Sequence, residues 1–285
     1  MTQRENPRIL LTHCKSEGQR SVFKALVKME MAVERYGGCI GEFKLRRSAL
    51  IYGMSGVGKS WMAELFSRYL GIPHYSTTVG GWSLSGGFSN HKTMEDILGL
   101  LAKSPLCIVI DECDKFSGKK GDINSSYFRA ILNEIMSLAM ASLNDFKPSE
   151  AAIENLNKSW LLFCGTWQDL YKQIDNPEDR SITPDDLIDR SGLPDELINR
   201  TGLLLEIAQP NYLELAISMN KIEQEAGVIL ERAEREAKAR EYVKYRKGFR
   251  GLQDYALAIA MRGVNEEIGA RRFPCPTPQL LDCAA

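Results

Sequence analysis

Apolar positions along the chain follow two regimes that change near residue 210. Up to that point, short unbroken apolar runs alternate with longer stretches of helical spacing. "SALIY" (Ser48–Tyr52) predicts a buried strand, and a helix is expected from about Lys59 to Leu70, ended by Gly71. "PHYSTTV" (Pro73–Val79) predicts a second strand. In "HKTMEDILGLLAKS" (His91–Ser104), Met94, Ile97, Leu98 and Leu101 share one helical face. "LCIVI" (Leu106–Ile110), "WLLFC" (Trp160–Cys164) and "LLLEI" (Leu203–Ile207) complete a set of five strands. Apolar strands separated by helices imply an α/β fold, a parallel sheet covered on both faces.

After "AQP" (Ala208–Pro210) no strand pattern remains, and the composition is helical to about Arg272. "ILERAEREAKAREYVKYRK" (Ile229–Lys247) carries Glu231/Arg235, Glu234/Lys238 and Glu236/Arg240 four residues apart, the pattern of a solvated helix face. The expected organisation is an α/β domain over 1–208, a small all-α domain over 209–273 and a tail over 274–285.

Composition narrows the class without naming it. The 285 residues are 44% hydrophobic and 26% charged, ordinary for a globular protein. A net charge of −1 supplies no global field toward nucleic acid or an anionic membrane. The N-terminus "MTQRENPRIL" lacks a signal peptide's apolar core, and the most apolar region, Ile97–Ile110, is broken by Lys103, Ser104 and Pro105. No membrane association is expected. The seven cysteines are scattered without a C-x-x-C pair, and they read as buried thiols in a cytoplasmic protein.

The chemistry begins between the first strand and its helix. Residues Gly53, Met54, Ser55, Gly56, Val57, Gly58, Lys59 and Ser60 fit G-x-x-x-x-G-K-[ST], with Trp61 following. A glycine-rich turn there aims several backbone N–H groups at one point, where the helix N-terminus adds positive potential. Lys59 would reach the β- and γ-phosphates of ATP, and the Ser60 hydroxyl would sit on Mg²⁺. "LCIVIDECDK" (Leu106–Lys115) ends a buried strand in two acids. In a parallel sheet ligands bind at the carboxyl ends of strands, so both acids can reach the phosphates. Asp111 would help hold Mg²⁺ and Glu112 would polarise the attacking water. The expected fold is a P-loop NTPase with a five-stranded parallel sheet and a small C-terminal all-α lid.

These residues resemble the AAA+ ATPases, and within them the ClpX, HslU and Lon-like branch. "EGQRSVFKAL" (Glu17–Leu26) resembles the segment near the adenine, and "IDECDKF" (Ile110–Phe116) the acidic strand end, with Cys113 where an apolar residue is usual. "LLFCGTWQD" (Leu161–Asp169) resembles the strand whose polar end positions the attacking water or reads the γ-phosphate; Thr166 matches it. "LPDELINRTG" (Leu193–Gly202) resembles the arginine-finger box, which implies that Arg200 completes a neighbour's site; Arg190 in "IDRSG" is the rival. "KGFRGLQDY" (Lys247–Tyr255) resembles the lid segment, implying that Arg250 lies over the phosphates. The resemblance implies ATP hydrolysis by a homo-oligomer, a ring of six by family expectation.

What such a motor acts on is less visible. "TVGGWSLSGGFSN" (Thr78–Asn90) matches a loop that grips substrate in the central pore of that branch. Trp82, Leu84 and Phe88 between paired glycines suit a grip on an extended polypeptide, the stacking of nucleic-acid bases, or a turn whose aromatics tuck under the sheet. Lys119 and Lys120 in "SGKKGDINSSYFRAILNEI" (Ser117–Ile135) would line a channel in a ring or serve as a solvated loop. No zinc-binding, protease or winged-helix region is evident, so a bare motor is expected. A protein partner is the first expectation, and DNA the alternative.

Overall fold

All five apolar runs join one parallel sheet in the computed structural model, which describes residues 4–85, 92–117, 125–172, 182–190, 193–228 and 230–270. Helices α1 (Pro7–His13) and α2 (Glu17–Arg35) and a short hairpin of β1 (Cys39–Ile40) and β2 (Phe43–Lys44) precede it. The sheet strands are β3 (Ser48–Tyr52), β4 (His74–Thr78), β5 (Cys107–Asp111), β6 (Trp160–Gly165) and β7 (Leu203–Glu206). Between them run α3 (Lys59–Leu70), α4 (Thr93–Leu101), α5 (Ser125–Met140), α6 (Glu150–Lys158), α7 (Gln168–Lys172), α8 (Pro184–Arg190) and α9 (Asp195–Arg200). Helices α10 (Tyr212–Ala226), α11 (Arg232–Lys244) and α12 (Gly251–Ala270) follow the sheet.

The spatial order is β4-β5-β6-β3-β7, and every neighbouring pair is parallel. The pairings Tyr52↔Gly165, Tyr52↔Glu206 and Thr78↔Asp111 bring the carboxyl ends of the strands to one edge. Ligands of open α/β sheets bind at that edge. Leu50, Ile51, Leu162 and Phe163 are wholly hidden. Burying each contributes about 1.5–3 kcal/mol, and their unbroken apolar character reflects cover on both faces.

Two polar contacts tie helix α2 to this core. The Trp160 indole donates to Glu30 Oε2 at 2.7 Å, and Arg47 Nε donates to the same oxygen at 3.0 Å. Gly18 lies so near the chain after β7 that a Cβ there would meet the Ala208 nitrogen at 2.9 Å. The hairpin had no clear signal in the sequence, since Phe43 and Ile40 are exposed.

Helices α10–α12 surround a second apolar cluster that includes Leu215, Met219, Tyr242, Leu252, Tyr255 and Ile259. At its centre sits an ion pair that the spacing rule did not anticipate. Arg235 turns inward to the buried Glu223, with Nε at 2.8 Å from Oε1, instead of pairing with Glu231. Glu231 lies at the N-cap of α11, before the helix begins, so it is poorly placed for an i,i+4 pair. Glu236 does pair with Arg240, as expected, but Lys238 joins Glu241 rather than Glu234. Glu223 also accepts from the Tyr255 hydroxyl and the Leu230 N–H.

Burial pushes the Glu223 carboxyl up, but the bonds from Arg235, Tyr255 and Leu230 outweigh it and hold it below its ordinary value. A depressed folded-state pKa contributes stability that is complete above the unfolded-state value of about 4.3 and is lost as pH falls through the lower folded value. Denaturation between pH 7 and 3 should therefore show an acid-side loss that Glu223→Gln removes. At pH 7, Arg235→Ala leaves the carboxylate buried and unpaired. It should cost about 3–5 kcal/mol in the unfolding free energy of these helices.

Candidate active site

Lys59 is the first residue of α3 and is 7% exposed. Its ammonium donates to the Gly53 carbonyl at 2.9 Å and the Met54 carbonyl at 3.0 Å, so the loop folds back around its own lysine. Burial lowers the Lys59 pKa, and nearby Arg250 lowers it further, against the opposing pull of Cys164, Asp111 and Asp114. A buried cation beside a second cation is an environment that an anion relieves.

Two glycines in the loop meet needs that no other residue would. Gly58, at φ +95°, caps α3 in the left-handed region, and a Cβ there would come within 2.7 Å of Gln19 Nε2. Gly56, at φ +81°, would set a Cβ 2.7 Å from the Lys247 carbonyl. The loop is therefore held from both sides. Gln19 Nε2 donates to the Val57 carbonyl at 2.8 Å, while the Phe249 N–H donates to the Gly56 carbonyl at 2.9 Å.

The adjacent strand ends supply the acids. Ser60 Oγ donates to Asp111 Oδ2 at 2.6 Å, and the other Asp111 oxygen accepts the Glu112 N–H at 2.7 Å. Glu112 takes a left-handed backbone, φ +61°, and its Oε2 accepts from Lys115 Nζ at 2.6 Å. Thr166, just past β6, is bound through both its N–H and its hydroxyl to the two oxygens of Asp114. A serine hydroxyl beside a carboxylate is a hard-oxygen pair suited to Mg²⁺, which usually takes one or two protein ligands and keeps several waters. Among the described residues no cluster of three His, Cys, Asp or Glu side chains forms a cage made by protein alone.

These parts open onto one cleft of about 720 Å³. Ser55, Gly56, Gly58, Lys59, Ser60, Trp61, Asp111, Glu112, Thr166 and Arg250 all line it, so most of the residues singled out in the sequence meet there. Gly53, Met54 and Val57 do not. The Met54 and Val57 side chains are buried in the core, which leaves these three only backbone atoms to offer. Arg250 enters from the turn before α12 and has no hydrogen-bond or ion-pair partner among the described residues.

Arg200 lies elsewhere. Its carbonyl accepts from Ser48 Oγ at 3.0 Å, at the start of β3, and the residue lines a separate cleft with Arg46 and Arg47. The five residues of β3 separate it from the phosphate loop, a rise of roughly 16 Å. The side chain of Arg190 lies outside the described set. So do Phe88, Lys119 and Lys120.

Of the readings open for Trp82, the structure shows the inward one and not the exposed gripping aromatic. It is 1% exposed, its indole donates to Glu134 Oε2 at 2.8 Å, and its carbonyl accepts from the Tyr127 hydroxyl at 2.6 Å. The acidic partner on α5 satisfies the indole N–H, so the ring can be buried without stranding a polar group. Gln19, Asp114 and Lys115 lie at the site but were not assigned roles from the sequence. A third acid and a lysine, two and three residues after Glu112, were the available signal.

Residues 49–177 match the family model "ATPase family associated with various cellular activities (AAA)". Among curated proteins, the chain is similar to the ATP-dependent zinc metalloprotease FtsH of Mycoplasma genitalium and to that of Mycoplasma pneumoniae. Each is 25% identical over 101 residues, 35% of this chain and 14% of the relative. The chain thus spans a small fraction of the length of these relatives. No helix among the described residues is long and apolar enough to cross a membrane. Residues 49–177 thus carry the match to an AAA ATPase domain, on a P-loop α/β fold built around a five-stranded parallel sheet.

Proposed function

We propose that the protein is a Mg²⁺-dependent AAA+ motor of the ClpX, HslU and Lon-like branch, which assembles into rings and remodels a protein partner. The observation that carries this reading is the meeting of Lys59, the Ser60–Asp111 pair, Glu112, Thr166 and Arg250 around one cleft. Lys59 would exchange its loop carbonyls for phosphate oxygens. Ser60 and Asp111 would hold Mg²⁺, which when bound offsets the charge of the phosphates. Glu112 would leave Lys115 and take a proton from the attacking water. Helices α10–α12 would act as the lid, with Arg250 over the phosphates. Their direct backbone contact with the phosphate loop supports a lid that moves with nucleotide state.

The distance of Arg200 from its own cleft supports action on a neighbour's nucleotide, and with it an oligomer. A protein partner is supported by the likeness to FtsH, an ATP-dependent protease.

Lys59→Ala should abolish ATP binding in equilibrium titrations. Glu112→Gln should bind ATP normally and hydrolyse it about 100-fold or more slowly. Wild-type turnover by either variant would refute the site. Arg200→Ala should slow turnover by about 1,000-fold. Mixing it with Lys59→Ala should restore activity, because one variant keeps an intact cleft and the other an intact finger. If Arg200 served its own cleft, mixing would restore nothing. Unfolded polypeptide, and not single- or double-stranded DNA, should stimulate steady-state hydrolysis; the reverse result would replace the protein partner with DNA.

A further inference from the structure

A threonine hydroxyl has one proton to give and two lone pairs to receive with. In Thr166 that proton is already committed. Oγ donates to Asp114 Oδ2 at 2.9 Å, while the Thr166 N–H donates to Asp114 Oδ1 at 3.0 Å. Asp114 thus clamps both polar groups of Thr166 with one carboxylate, and a carboxylate only accepts. What Thr166 presents to the cleft is its lone pairs. We infer that Asp114 is a positioning residue that fixes Thr166 as an acceptor, so that Thr166 orients the attacking water by accepting a hydrogen bond from it and does not donate to the γ-phosphate.

The surroundings hold this arrangement in place. Asp114 belongs to the short turn Cys113–Ser117 that follows Glu112, so the clamp and the residue that polarises water share one segment. That turn packs on the end of β6, where a Cβ on Gly165 would approach the Asp114 nitrogen at 3.1 Å. The Trp167 ring folds over the same glycine, so close that a Cβ there would overlap it. Trp167 itself is buried with a left-handed backbone, φ +40°, which costs energy in a non-glycine residue. Thr166 is therefore fixed from its backbone, its hydroxyl and its next neighbour.

The inference rests on the proposed hydrolysis at this cleft, and Asp114→Asn tests it without changing side-chain shape. The amide carbonyl must stay on the Thr166 N–H, because the opposite rotamer sets N–H against N–H. The amide nitrogen then donates to Thr166 Oγ and turns the hydroxyl proton toward the cleft, reversing its polarity. ATP turnover, and equilibrium binding of ADP and a non-hydrolysable ATP analogue, should be measured on the full chain for this variant, Thr166→Val, Thr166→Ser and Asp114→Asn/Thr166→Val.

Asp114→Asn and Thr166→Val should each lower kcat on the order of 10- to 100-fold. Thr166→Val should leave the preference for the ATP analogue over ADP within about 2-fold of wild type. Thr166→Ser should restore the rate, and the double variant should be no slower than Thr166→Val. A wild-type rate in Asp114→Asn, losses that multiply in the double variant, or a selective loss of ATP-analogue binding in Thr166→Val would overturn the inference. A wild-type chain that hydrolyses no ATP would count instead against the proposed function, and the binding comparison would still separate acceptor from donor.

Discussion

The candidate cleft depends on a buried ammonium. An isolated Lys side chain in a protein interior is strongly disfavoured, and it persists only where oxygen atoms surround it. Here the loop supplies them by turning two of its own carbonyls onto Lys59. That fold-back demands left-handed backbone at Gly56 and Gly58, which a side chain at either position would obstruct. The Gly53 and Met54 carbonyls are occupied by the lysine. An anion that draws the ammonium outward would replace both interactions together. Loop shape and glycine placement therefore go with one electrostatic requirement, and the proposed phosphate binding would meet it.

The same loop couples the sheet to the helices after it. Gly56 and Gly248 approach so closely that a Cβ on either would fall within 3 Å of a backbone oxygen of the other segment. The Phe249 N–H closes the contact on the Gly56 carbonyl. On its other side, Gln19 holds Val57 and in turn accepts the Lys15 N–H, linking the loop to the start of α2. On the Gly56 side a displacement of a few tenths of an ångström has little slack to absorb it, because packed backbone lies against the loop there. Such an arrangement can transmit occupancy of the cleft to α10–α12 without a separate mechanical element.

The sheet was legible because its signal is redundant. Leu106–Ile110 and Trp160–Cys164 are apolar without a break, and no alternative element of that length buries both faces. The Gly53–Ser60 loop was legible because strand, glycines and helix occur in the order the chemistry needs. The losses have a common physical cause. Trp82, Glu223 and Asp114 owe their places to partners 52, 12 and 52 residues away. Periodicity within one element carries no information about such pairs. A tryptophan between glycines can face solvent or tuck inward until an acid on α5 is known to face it, and Arg235 looks like one more charge on a solvated helix. The β1–β2 hairpin was missed because strands of two residues are too short to show alternation.

Backbone strain marks where the constraints converge. Among the described residues, Glu112 and Trp167 are non-glycine positions with positive φ that flank the carboxyl ends of β5 and β6. Each such conformation costs on the order of 1–3 kcal/mol and survives only when neighbours enforce it. For Glu112 the enforcing contacts are the Asp111 carboxylate on its N–H and Lys115 on its side chain. For Trp167 it is close packing over Gly165. The two strained residues stand on either side of the Asp114–Thr166 clamp, which ties the two strand ends together. A relaxed backbone at either position would release one end of that clamp. The strain and the clamp are best understood as one device, in which rigid placement of two oxygen acceptors, the Glu112 carboxylate and the Thr166 hydroxyl, is maintained at a cost in stability that the apolar sheet beneath offsets.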